Sequence, residues 1–96
     1  MATMSPLDPD IEEKLKRSGL EFLLNDIEMA LTFVRVARAA DDDPAKNFRN
    51  RANARRAYVV VQKLTARLDF SPEEQSKINK KLRMLKIELE ALGEHF

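Results

Sequence analysis

The chain has 96 residues, 44% hydrophobic and 34% charged, with two glycines, four prolines and a formal net charge of +1. That length supports one core, and that balance belongs to a folded, helix-rich domain and not to a disordered chain. The absence of cysteine excludes disulfides and thiolate chemistry and leaves His95 as the one nitrogen or sulfur ligand a zinc site would have.

The first residues, Met1 to Asp10, carry neither the basic start nor the apolar run of a signal peptide, so a cytoplasmic location is expected. Residues 1–7 read as a flexible tail, with residues 8–96 forming the single domain. Asp8 and Pro9 have the form of an N-cap followed by proline at the first helical position, and Asp10, Glu12 and Glu13 sit where a helix dipole favours acids. This predicts a short helix over about 9–17, with Ile11 and Leu15 facing inward. Ser18 stands three residues before Glu21, a capping-box spacing, while Ser18 and Gly19 equally suit the close of the short helix. The pattern allows a break or a kink there.

The next segment, about 19–40, is apolar on two sides. At roughly 100° per residue, Leu20, Leu23, Leu24, Ile27, Leu31 and Val34 form one stripe. Phe22, Met29, Phe33, Val36 and Ala40 fall about half a turn away. A helix with two apolar faces needs two neighbours. Asp41, Asp42, Asp43 and Pro44 then end this helix and start another, because the residue before proline resists helical geometry and Asp43 can cap. Consecutive carboxylates lack the alternating ligands and glycine of a calcium loop, so the turn explains them without metal.

The helix predicted over 44–68 has Ala54, Ala57, Tyr58, Val61, Leu64 and Leu68 as its apolar stripe. Ser71, Pro72, Glu73 and Glu74 join a capping box to a proline start. The last helix, about 72–92, presents Ile78, Leu82, Leu85, Leu89 and Leu92 at 4-3-4-3 spacing, as in coiled-coil packing, and Gly93 closes it. The three long helices, each ~31 to 38 Å at about 1.5 Å per residue, are joined by short links that demand antiparallel neighbours. The expected fold is all-α: an antiparallel up-down-up three-helix bundle with a short additional N-terminal helix. In helix number and length it resembles helix-hairpin repeats of the tetratricopeptide kind. The period of about 34 residues and the Trp and Gly landmarks of those repeats are missing, so no binding residue is carried over from them.

One stripe per helix suffices in a closed three-helix bundle, so the second face of helix 19–40 is surplus. Either Ile11 and Leu15 cover it, or Phe22, Met29, Phe33 and Val36 meet another chain. Met84, Ile87 and Ala91 lie off the main stripe of the last helix and add to the surplus. The expectation is a non-catalytic protein–protein interaction module that self-associates, a homodimer being the simplest case, or that packs on another helical protein.

Charge is segregated. Residues 1–43 hold ten acids and five bases, residues 44–68 no acid and seven bases, and residues 69–96 six acids and five bases. Arg49, Arg56, Lys63 and Arg67 share one side of the middle helix with Arg55 nearby, and Asn47, Asn50 and Asn53 interleave the first part. Arg49, Arg51, Arg55, Arg56, Lys63 and Arg67 are therefore candidate contacts for RNA, DNA or an acidic partner. Against that alternative stand the near-zero net charge, the acids at 41–43 and the lack of an exposed aromatic platform. Phe48, Ala52 and Val59 make only a thin apolar strip beside the bases, so no membrane contact is expected. Catalytic material is sparse. His95 is penultimate, no nucleophile elbow or phosphate loop occurs, and no Glu-x-x-His pair marks a di-iron bundle. Neither a cofactor nor a small-molecule substrate is indicated.

Overall fold

A computed structural model describes residues 9–96, with side chains from Arg17 onward. It contains three helices, α1 (Pro9–Ala39), α2 (Pro44–Arg67) and α3 (Pro72–Ala91), and no strand among the described residues. The tail expected over 1–7 and the Asp8 cap lie outside these residues, and the cover expected from Ile11 and Leu15 lies outside the described side chains.

The separate short helix over 9–17 is not found: α1 runs unbroken through Ser18 and Gly19. Nothing compels a break there. No proline follows Ser18, and Gly19 does not adopt a positive φ, which among the described residues belongs to Gly93 alone. A glycine inside a helix costs only about 1 kcal/mol relative to alanine.

The turn between α1 and α2 is built from its own polar groups. The Asp43 carboxylate accepts from the Lys46 backbone N–H at 3.1 Å, with Pro44 at the first helical position. The Asn47 amide donates to the Ala37 carbonyl at 2.8 Å, which also accepts from the Ala40 N–H at 3.2 Å, so α2 is pinned to the last turn of α1. Ser71 and Glu74 complete the capping box expected at the start of α3. The Glu74 N–H donates to Ser71 Oγ at 3.1 Å, and the Ser71 N–H donates to Glu74 Oε1 at 2.9 Å.

These turns bring α2 back along α1, with Asn47 against Ala37 at one end and Leu68 beside Gly19 at the other. Helix α1 packs most extensively on α2. Arg38 pairs with Glu88 and Glu28 with Lys81, tying α1 to α3 along their outer margins. The core joins Leu23, Ile27, Leu31 and Val34 of α1 to Ala54 and Val61 of α2 and to Ile78, Leu82, Leu85 and Leu89 of α3. Each fully buried Leu or Ile contributes on the order of 1.5–3 kcal/mol of transfer free energy. The expected stripes are thus the core, with one exception. Leu68 is the C-cap of α2 and remains exposed. Thr65 is the buried polar residue among these, and its hydroxyl donates to the Val61 carbonyl at 2.7 Å.

Candidate interaction surfaces

The surplus face of α1 divides in two. Phe22 and Met29, seven residues apart on one side of the helix, are 59% and 57% exposed. Phe33 is half-buried and packs against the core. It borders a shallow groove of about 330 Å³ between α1 and α2, together with Asp26, Asn53, Arg56, Ala57 and Val60. Val36 is half-buried as well, beside the turn residues Asp42 and Asp43 and Lys46. So α2 covers part of Phe33 and the turn flanks Val36, while Phe22 and Met29 stay bare. Val60 of α2, also exposed, extends the apolar surface across the groove. It falls outside the α2 stripe read from the sequence, and only the α1–α2 pairing reveals it.

On α3, Met84 and Ile87 are exposed, as is Ala91. Met84 stands between Lys81 and Glu88, whose ion pairs with Glu28 and Arg38 occupy the α1–α3 margin. That margin is therefore bordered by charges already engaged with each other.

The six bases singled out on α2 do not act as a set. Arg51 and Arg55 are taken up inside the fold. Arg51 Nη2 lies 3.2 Å from Glu94 Oε2 and its Nη1 donates to the Leu92 carbonyl at 3.1 Å. Arg55 Nη1 donates to Glu94 Oε1 at 3.1 Å, and its guanidinium carbon lies 4.5 Å from the centre of the Phe96 ring. The Arg51 Nε is buried without a partner, a cost the two Nη contacts offset. By contrast Arg49, Arg56, Lys63 and Arg67 are exposed and enter no ion pair among the described residues. Two of the three interleaved asparagines are also committed. Asn47 holds Ala37, and Asn50 donates to the Lys46 carbonyl at 2.8 Å.

What positions Glu94 and Phe96 is the end of α3. Gly93 adopts φ +99°, its N–H donates to the Glu90 carbonyl, and the Glu94 N–H donates to the Leu89 carbonyl. This is a Schellman close, which turns the chain sharply out of the helix. The turn delivers Glu94 between Arg51 and Arg55 and lays Phe96 against Tyr58, ring centroids 4.8 Å apart and tilted by 57°. Lys86 also reaches the Phe96 ring, at 5.8 Å. The sequence reading closes the last helix at Gly93 and assigns no contact to Glu94 or Phe96; glycine followed by an acid and an aromatic, opposite a basic helix, is the signal it passed over. His95 points outward and is exposed.

Glu28 is held below the ordinary carboxyl range by its hydrogen bond to Lys81, the Lys81 charge, and a smaller effect of Arg35. It pairs on the surface and lines none of the grooves above. Among the described residues no three His, Asp or Glu side chains group to hold a metal ion, and no helix is long and apolar enough to cross a membrane. Comparison with protein-family models, with curated proteins and with solved structures finds no match for the chain.

Proposed function

We propose that this protein is a non-catalytic, cytoplasmic interaction module that pairs with a second copy of itself through the outer face of α1. The observation that carries the reading is the exposure of Phe22 and Met29 at 59% and 57% on one side of the helix, flanked by Phe33 and Val36. Phe22, Met29 and Val36 recur every seven residues, the repeat that keeps a seam facing a partner helix along several turns. A large exposed aromatic and a flexible thioether are also the residue types that carry contact energy and adapt to a facing surface. In a two-fold pair the same stripe serves both partners, so no second recognition surface is needed.

The experiment is solution mass by light scattering after size exclusion, over a dilution series and at low and high salt. A mass near twice the 11.0 kDa of one chain, insensitive to salt, agrees with an apolar seam. Phe22→Glu with Met29→Glu should then return a monomer whose helical content is unchanged, because neither side chain belongs to the core. A monomer for the unaltered chain across the whole dilution range overturns the reading.

A further inference from the structure

The outward face of α2 adjoins the α1 seam at the groove shared by Phe33, Arg56 and Val60 but carries a different chemistry. Helix α2 has no acid, and of its seven bases the two that lean toward α3, Arg51 and Arg55, are held by Glu94. Arg49, Arg56 and Lys63 repeat every seven residues, with Arg67 one turn further. At about 1.5 Å per residue the four span ~27 Å along one side of a straight helix. Beside this row, on one flank, stand Ala52 and Val59, with Phe48 just before Arg49 at its N-terminal end. Phe48 is the most exposed of the large apolar side chains among the described residues, at 66%. Ala52, Val59 and Val60 floor a shallow depression of about 470 Å³ whose rim is Arg55, Arg56 and Lys63.

A row of cations without ion-pair partners among the described residues fits a polyanion by charge, and the apolar residues beside them decide which kind. A nucleic acid would use base-reading amides and a stacking ring. Here the amides of Asn47 and Asn50 bind backbone carbonyls and Tyr58 is covered by Phe96, so that Asn53 is the one interleaved amide left and Phe48, at the end of the row, the one exposed ring of α2. An apolar strip alongside a cationic ridge instead matches the boundary between headgroups and acyl chains, where the apolar residues enter a few ångströms and the bases stay at phosphate level. The exposure of Phe48 adds to the strip that the residue pattern alone reads as too thin for a membrane.

We infer that the outer face of α2 docks the protein peripherally on an anionic phospholipid bilayer, with Arg49, Arg56, Lys63 and Arg67 on the headgroups and Phe48 inserted beside them. Each exposed base near such a surface is worth about a fivefold change in partition. The binding is therefore reversible and steeply salt-dependent.

The test is co-sedimentation of the full chain with vesicles of equal parts phosphatidylserine and phosphatidylcholine, and with phosphatidylcholine alone. Phe48→Trp serves as the reporter, because the chain has no other tryptophan. Binding to the anionic vesicles alone, a blue shift of the Phe48→Trp emission on binding, and a loss of about 30-fold in partition for Arg56→Gln with Lys63→Gln are expected. Phe48→Ser should weaken partition by about fivefold, with circular dichroism unchanged. The inference is overturned if the anionic vesicles do not sediment the protein. It is equally overturned if the Phe48→Trp emission stays at its aqueous position while random-sequence duplex DNA competes the protein off the vesicles; the ridge would then be a phosphate-backbone site.

Discussion

The Arg51 guanidinium lies 3.2 Å from the Glu94 carboxylate, and the same carboxylate reaches Arg55 at 3.1 Å, so one residue beyond the last helix neutralises two bases of the middle one. Glu94 is the more enclosed member, with 16% of its side chain exposed against 29% for Arg51 and 40% for Arg55. Replacing it by glutamine leaves two neighbouring guanidinium groups without their counter-charge while keeping shape and a hydrogen-bond acceptor. Because the arginines keep partial access to water, the expected loss is about 1 kcal/mol. For a chain of this size that lowers the melting temperature by roughly 4–8 °C. Thermal melts of Glu94→Gln at low and high salt check it, with a smaller difference at high salt.

The two glycines separate helix propensity from backbone geometry. Gly19 is in mid-helix, and a Cβ there would meet only Leu68 Cδ1 at 3.7 Å, an ordinary contact. Gly19→Ala is expected to stabilise by about 0.5–1 kcal/mol. Gly93 has open space around it but a φ of +99°, where a side chain costs about 1–2 kcal/mol. Gly93→Ala should therefore destabilise, and it should also loosen Glu94 and Phe96, whose path that turn sets. Chemical denaturation of both variants should give shifts of opposite sign.

Helix boundaries and core were legible because each was signalled twice, by a cap and by a period. Asp43–Pro44 and Ser71–Pro72 mark starts that the apolar stripes independently require, and the observed ends fall within one residue of those expected. The continuity of α1 was not legible, because a serine and a glycine together are equally good as a cap and as tolerated helix residues; only their neighbours decide. The candidate faces were legible in part. Periodicity places Phe22, Met29, Phe33 and Val36 on one side, but how much of that side α2 covers depends on where Ala57 and Val60 arrive in space. Likewise the basic helix reads as one charged block until the turn at Gly93 carries Glu94 back to Arg51 and Arg55. Such contacts join residues far apart in sequence, and no local pattern encodes them.

The capping box at the start of α3 satisfies two backbone N–H groups reciprocally through Ser71 and Glu74. Ser71→Ala removes one acceptor and leaves the Glu74 N–H to water, for a loss of about 1 kcal/mol. The link before it is short, so fraying at this end loosens the α2–α3 contact first. Amide hydrogen exchange of Ser71→Ala should show faster exchange in the first turn of α3, with Leu85 and Leu89 keeping the protection of the global core.

Acid sensitivity can be assigned a sign through Glu28. Its carboxyl is held below the ordinary value of 4.5 by the hydrogen bond and charge of Lys81. A group whose folded value is depressed binds fewer protons in the native state than in the unfolded one, so its contribution to stability is present above the unfolded value. That contribution disappears as pH falls through the folded one. The pair is exposed to solvent, which keeps the effect small and screened by salt. Denaturation midpoints of the unaltered chain and of Glu28→Gln should differ at neutral pH and low salt. They should converge as the pH is taken below about 4.5, where protonated Glu28 no longer distinguishes Lys81 from solvent. A constant offset between the two chains down to low pH would show that the substitution acts through packing and not through the charge of Glu28.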